Sequence, residues 1–257
     1  MVWIAKGAAL DPGSSWSFSV LGFLFLNLGD PDQAEYWIRR SIELAPEGFY
    51  SNLAMQDLAM YRGDEAAALE HGRKAFAIRP LVIWALTSLR DHEVRAGRYL
   101  EARTLYEEFF PELLSERDPE VDFRNYIAAI NLALILSRTG ERERADWLLE
   151  RGLAQIQRRP RLGSQGYGIA DVQVYALRGE KQKALLALRQ AIDEGWRSQW
   201  WYQLKHKPDL ESLHDEPEFQ AMVAEIEADM AAQLARVREM ERNGELEPIP
   251  EVSATIQ

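Results

Sequence analysis

The sequence contains no cysteine among its 257 residues. This absence excludes disulfide bonds, thiolate metal sites and cysteine nucleophiles. The absence of cysteine does not distinguish oxidising from reducing compartments. We favour a cytoplasmic location, with the periplasm as the alternative if the chain belongs to a larger protein that is anchored in a membrane. Histidine is scarce as well, and none of the four has a metal-binding spacing such as H-E-x-x-H. We therefore predict no metal site and no cofactor at these four residues: His71, His92, His206 and His214.

Long apolar runs and a basic charge balance are also absent. The most apolar stretch, "FSVLGFLFLNL" at 18–28, is shorter than the roughly 20 residues that a membrane-spanning helix needs. The net charge of −11 opposes binding to nucleic-acid phosphates and to anionic membranes. We predict neither membrane insertion nor a nucleic-acid partner for this chain.

Catalytic motifs are missing too. Ser14 and Ser15 follow a glycine, but the pattern of a nucleophile elbow does not surround them. The glycine-rich "GSQGYG" at 163–168 has neither a preceding strand nor a following Lys-Ser/Thr, so it does not match a phosphate-binding loop. We predict that the chain is not an enzyme.

A repeat of 34 residues is what the sequence does have. Three residue types recur in phase at this interval, and a 34-residue period is typical of paired, stacked helices. The recurring positions are Pro12, Pro46 and Pro80; Gly29, Gly63 and Gly97; and Ala34, Ala68 and Ala102.

Each recurring residue type has a physical role at a helix boundary or crossing. Gly22 and Ala34 are small where two helices would cross closely. Gly29 accepts the positive φ of a helix C-cap, and Asp30 can cap the following helix. Pro46 ends that helix because it has no backbone N–H to donate.

On these residues, the chain resembles the tetratricopeptide repeat (TPR) family, most closely over its first hundred residues. Leu21 and Gly22 match the Leu-Gly pair of that family, and Phe25 matches its aromatic position. The resemblance implies an all-α fold: a right-handed superhelical solenoid of helix-turn-helix TPR units with a C-terminal capping helix. Further downstream, fewer of the repeat residues remain. The predicted structural positions are Gly22, Gly29, Ala34, Pro46, Gly63, Ala68, Pro80, Gly97, Ala102, Gly140, Ala145, Gly179 and Ala184.

The predicted boundaries follow from these positions. The array covers 1–195, with a half repeat at 1–12 and repeats at about 15–48, 49–82, 83–115, 126–160 and 165–195. An aromatic linker and capping helix at 196–243 and a mobile tail at 244–257 complete the chain.

Both ends of the array suggest a larger context. The half repeat would leave an apolar face uncovered, so we expect either a fragment of a longer protein or a chain that contacts another chain. The ending "KPDLESLHDEPEFQAMVAEI" resembles the closing segment of repeat arrays in bacterial multidomain regulators, which carry a winged-helix domain, a tolB-like segment or a class III cyclase domain.

The predicted partner-binding surface is the concave groove lined by the first helix of each unit. Aromatic residues recur there as the second residue of three units, and they either line the groove or pack as core; for Trp16 the core is favoured, because the preceding repeat is incomplete. Binding of chaperone tails is not expected, since Ser19 and Phe23 replace the lysine and asparagine that grip a C-terminal carboxylate. The groove residues are Trp16, Phe23, Tyr50, Asp57, Tyr61, Trp84, Asp91 and Arg95.

Three functional hypotheses follow. The first is a non-catalytic scaffold that binds a protein or peptide partner, with apolar or basic segments favoured by the acidic charge. The second is homodimeric self-assembly through the half repeat, which would depend on Trp3 and Ile4. The third, a small-ligand sensor or enzyme inside the superhelix, would need a turnover screen to support it.

Overall fold

The computed structural model describes residues 11–80, 82–115, 119–163 and 166–246. Within these ranges every regular element is a helix and none is a strand, which confirms the predicted all-α fold. Most of the predicted half repeat, with Trp3 and Ile4, lies outside the described residues, as does the predicted tail from residue 247 onward. None of the helices in the described ranges is long and apolar enough to cross a membrane.

The helices are numbered here in chain order. Their bounds are α1 (Ser15–Leu28), α2 (Pro31–Leu44), α3 (Phe49–Tyr61), α4 (Glu65–Ile78), α5 (Ile83–Arg95), α6 (Tyr99–Phe109), α7 (Glu112–Ser115), α8 (Tyr126–Arg138), α9 (Arg142–Ile156), α10 (Ala170–Leu177), α11 (Lys181–Asp193), α12 (Trp200–Lys205), a 3₁₀ helix (Pro208–Leu213) and α13 (Pro217–Arg242). Two successive α-helices fall within each of the five predicted repeat ranges, with the four-residue α7 added in the third.

The five turn glycines have the left-handed backbone that was predicted for Gly29. Each follows the first helix of its pair by one or two residues, where a positive φ lets the chain turn without a Cβ clash. Their φ values are 83° at Gly29, 77° at Gly63, 73° at Gly97, 93° at Gly140 and 73° at Gly179.

The cap and crossing predicted in the first pair are also present. The Asp30 carboxylate accepts the backbone N–H of Gln33 at 3.1 Å, which satisfies a free donor at the start of α2. A Cβ placed on Gly22 would lie 2.3 Å from Cγ1 of Ile38. Since Ala34 and Ile38 are fully buried, the small residue at position 22 is what lets α1 and α2 approach each other.

The chain forms two compact units. Unit 1 comprises Met1–Arg79 and Glu227–Gln257, and unit 2 comprises Pro80–Ile226, so α13 contributes residues to both. In unit 1, α1–α4 enclose a core of apolar side chains and three linked serine hydroxyls. Ser41 lies 2.7 Å from both Ser19 and Ser51, which satisfies polar atoms that would otherwise be buried without a partner.

In the core of unit 2, helices from the predicted repeat ranges pack together with the segment that follows these ranges. Ile130 and Ile135 of α8 and Leu188 of α11 are fully buried, and so is Leu210 of the 3₁₀ helix. The segment predicted as an aromatic linker is therefore part of the unit 2 core, with Trp200 2% exposed.

Candidate partner-binding surfaces

Three exposed aromatic side chains occupy the same position in successive first helices. Trp16, Tyr50 and Trp84 are the second residues of α1, α3 and α5. Their exposed fractions are 47%, 37% and 66%. Large apolar side chains with this exposure contribute little to a core. This holds for Trp16 as well, for which the sequence favours core packing. These three are the predicted groove residues that are exposed.

Tyr50 lies in a cluster with one neighbour from its own helix and one from the residue that follows α4. Its ring meets the Phe49 ring edge-on at 5.1 Å between centroids. The guanidinium carbon of Arg79 lies 5.3 Å from the Phe49 centroid and 5.5 Å from that of Tyr50. The cation fixes the orientation of both rings, so Tyr50 is presented to solvent in a defined position.

The remaining groove residues of unit 1 are half-buried. They are Phe23, Asp57 and Tyr61. Burial raises the pKa of Tyr61, and the carboxylates of Glu227 and Asp30 raise it further. Tyr61 thus lies close to the C-terminal part of α13 and to the turn before α2.

That part of α13 packs within unit 1. The guanidinium of Arg238 bonds the second carboxylate oxygen of Asp30 at 2.9 Å, and Met230 and Val237 are buried. Asp30 therefore caps α2 with one oxygen and holds α13 with the other.

In unit 2, two of the predicted groove residues are bound by the chain itself. Asp91 is fully buried, and its carboxylate accepts the hydroxyl of Tyr202 at 2.6 Å. Arg95 donates to the backbone carbonyl of His206 at 3.3 Å. We therefore correct the predicted role of Asp91, because the segment 200–209 covers it and no partner can reach its carboxylate.

A buried ionic network lies beside Asp91. The Arg90 guanidinium donates to both carboxylate oxygens of Asp209, at 2.8 and 3.0 Å, and to Oδ1 of Asn131 at 2.6 Å. Asn131 in turn donates to Thr87 at 2.7 Å. Burial opposes ionisation of Asp209, but the Arg90 charge outweighs this effect and keeps the pKa of Asp209 below its ordinary value.

Further polar contacts hold the segment 196–213, which we call the inserted segment, against α8 and α10. Arg138 of α8 bonds Glu211 at 2.6 Å, and Gln173 of α10 bonds Gln203 at 3.2 Å. Together with the contacts of α5, these cover part of the face of the first helices that was predicted to receive a partner in unit 2, and they leave Trp84 exposed. Three residues make the central contacts between α5 and this segment, and none of them was among the predicted site residues: Arg90, Tyr202 and Asp209.

An open cavity of about 480 Å³ lies elsewhere in unit 2. Trp147 contributes the only aromatic ring among its lining residues, and the Arg151 guanidinium lies 5.0 Å from the centroid of that ring. Four of the lining side chains are acidic and one is basic. The lining is Glu143, Asp146, Trp147, Glu150, Arg178 and Glu180.

Among the described residues, no group of three or more His, Asp or Glu side chains is arranged to hold a metal ion. No protein-family model matches the chain, and no curated protein is similar to it.

Proposed function

We propose that this chain is a non-catalytic interaction module that binds a segment of a partner protein through exposed aromatic side chains of its first helices. The exposure of Trp16, Tyr50 and Trp84 at one helix position in three successive pairs supports the proposal most directly. Exposed aromatic side chains are the residue type that dominates binding energy when a partner covers them.

The 34-residue period and the positive-φ glycines support the finer architecture that we propose, a TPR-like solenoid with these aromatics along its groove. The resemblance of the segment at 207–226 to regulator endings supports a place for the module in a larger bacterial regulatory protein. On this proposal the partner occupies only the part of the groove that the inserted segment leaves open.

The chemistry of the partner follows from what remains exposed. Asp91 and Arg95 already have partners within the chain, so apolar contacts with the aromatic rings supply most of the affinity. The net charge of −11 favours a segment that carries basic side chains beside its apolar ones. We propose an apolar, moderately basic peptide segment as the ligand.

A displayed random-peptide library selected on the intact protein tests this function. Peptides enriched for apolar and basic residues are expected, and Tyr50→Ala or Trp84→Ala should weaken each of them about tenfold or more. Leu186→Ala is the matched control, because Leu186 on α11 is 69% exposed and was not predicted to line the groove. Selected peptides whose affinity is the same for all three variants would overturn the proposal.

A further inference from the structure

The two ends of α13 are held differently. Its first part belongs to unit 2, where Phe219, Met222 and Ile226 are buried. The Arg189 guanidinium also donates to both carboxylate oxygens of Glu225, at 2.5 and 2.9 Å. These contacts anchor the start of the helix in unit 2, whatever its other end touches.

The second part of α13 makes a narrower contact. Residues 227–242 belong to unit 1, and we call them the α13 arm. Beyond residue 230 the arm buries one side chain, that of Val237. Leu234 and Met240 are half-buried there, and the remaining side chains are exposed. Since a helix that packs firmly on a core presents about three or four apolar residues to it in every two turns, the apolar contact of the arm is small.

An ion pair supports this apolar contact. Arg238 bonds Asp30 at 2.9 Å, but the Arg238 side chain remains 56% exposed. An ion pair that is open to water contributes little stability. Asp30 caps α2 with its other carboxylate oxygen, so the ion pair can break while the cap remains in place.

The α13 arm lies at one end of the predicted groove of unit 1. Trp16 and Phe23 share a face of α1, and Tyr50 and Tyr61 share a face of α3, because each pair is separated by nearly whole helical turns. In both helices the first of the two residues is exposed and the second is half-buried. Glu227 of the arm is close enough to raise the pKa of Tyr61, and the ion pair of the arm lies in the turn after α1. The arm is therefore beside the groove face where α1 and α3 end.

We propose that the α13 arm is an autoinhibitory contact, which occupies the Tyr61 end of the unit 1 groove and leaves it when a partner segment binds there. This proposal rests on the groove function proposed above. The narrow apolar contact and the exposed ion pair permit release, while the anchored start of α13 keeps the released arm close to its site. A contact that is closed about nine-tenths of the time lowers the apparent affinity of a competing ligand about tenfold.

Hydrogen exchange of the intact chain, followed by mass spectrometry, tests whether the arm can be released. Arg238→Glu places two carboxylates against each other and should raise the exchange of amides 231–242 about tenfold, because a released helix of this length is marginal in water. Val237→Asp, which puts a charge into the apolar contact, is a second releasing variant. Both should leave the exchange of the α8 amides unchanged. Arg236→Glu is the matched control, since Arg236 is exposed on the same helix.

Selection of the peptide library on the wild type and on Arg238→Glu tests whether the arm competes with a partner. Peptides selected on Arg238→Glu should bind it about tenfold more tightly than they bind the wild type or Arg236→Glu. Tyr61→Ala in the Arg238→Glu background should weaken these peptides, which locates them at the site of the arm. Added to the wild type at saturation, the same peptides should raise the exchange of amides 231–242.

The outcomes separate this proposal from the groove function. Release of the arm without a gain in peptide affinity overturns autoinhibition, and so does an arm that neither Arg238→Glu nor Val237→Asp releases. In both cases peptides that depend on Tyr50 or Trp84 leave the groove function standing. If no peptide binds the wild type or either releasing variant, the groove function is overturned, and autoinhibition with it.

Discussion

The guanidinium of Arg90 binds both carboxylate oxygens of Asp209 across 119 residues of sequence, and both side chains are fully buried. This pair joins α5 to the inserted segment. A buried ion pair contributes little relative to a well-packed apolar pair, but removal of one partner leaves an uncompensated buried charge. The stability of unit 2 therefore depends on keeping both partners or replacing both.

Arg90→Met should lower the free energy of unfolding of unit 2 by about 3–5 kcal/mol, because Asp209 and Asp91 lose their buried counter-charge. Hydrogen exchange of the α8 amides, followed by mass spectrometry, measures this loss within unit 2. Arg124→Met, in the same unit, is the control: the Arg124 side chain is 77% exposed, and its loss should cost no more than about 1 kcal/mol.

The paired replacement Arg90→Met/Asp209→Leu should be less destabilising than Arg90→Met alone, since it removes one of the two stranded carboxylates. The same exchange measurement applies. A double variant whose loss equals the sum of the two single losses would contradict a direct coupling between these side chains.

Alkaline pH should destabilise unit 2 through Tyr106. Burial raises the pKa of Tyr106 to about 12, above its ordinary value of 10.0. The folded state therefore holds this proton more tightly than the unfolded state, and the resulting stability is fully present below pH 10 and is lost as the pH rises towards 12. Between these limits the wild type should lose about 2–3 kcal/mol more than Tyr106→Phe.

Urea unfolding at several pH values from 9 to 12 measures this difference. Tyr36→Phe serves as the control for loss of a tyrosine hydroxyl, since Tyr36 is 44% exposed. If Tyr106→Phe and the wild type lose the same stability as the pH rises, the pKa of Tyr106 is not raised in the folded state.

Gly22→Ala should destabilise unit 1 by about 1–3 kcal/mol, because a new methyl group must displace Ile38 in a packed core. Ile38→Ala opens the space that this methyl group needs. The double variant should therefore be more stable than the sum of the two single effects predicts, as measured by urea denaturation. Strict additivity would show that residues 22 and 38 do not compete for the same volume.

Two tryptophans of unit 2 should differ sharply in their effect on stability. Trp84 is 66% exposed and Trp201 is 2% exposed. Trp84→Ala should change the free energy of unfolding by less than about 0.5 kcal/mol, whereas Trp201→Ala should cost about 3–5 kcal/mol. Thermal and urea unfolding of both variants provide the check. A large loss in Trp84→Ala would show that this ring is structural rather than available to a partner.

Local chemistry explains which parts of the fold were predictable. The turn glycines, the Asp30 cap and the small residue at the α1–α2 crossing are dictated by neighbours within one repeat, so the 34-residue spacing exposes them. The 34-residue spacing places Tyr50 and Trp84 at the same position of their helices, but the burial of each ring depends on what packs over it. The spacing therefore does not decide whether either ring lines the groove or packs in the core.

The inserted segment could not be predicted in the same way. Neither Arg90 nor Asp209 belongs to the positions that recur every 34 residues. The repeat spacing therefore gives no information about a contact between two residues so far apart in the sequence. The sequence does not distinguish a charged residue that is hydrated on the surface of a helix from one that pairs with a side chain distant in sequence. Asp91 was assigned to a partner for this reason, although Tyr202 occupies that role.

The separation of Arg90 from Asp209 also sets an order of events during synthesis. A ribosome releases α5 and α8 well before it translates Asp209, which holds the Arg90 guanidinium through two hydrogen bonds. Until then Asp91 pairs with Arg90, but burial of the guanidinium without Asp209 would leave two of its hydrogen bonds unmade, at a desolvation cost. Unit 2 therefore completes its assembly after translation has passed residue 209.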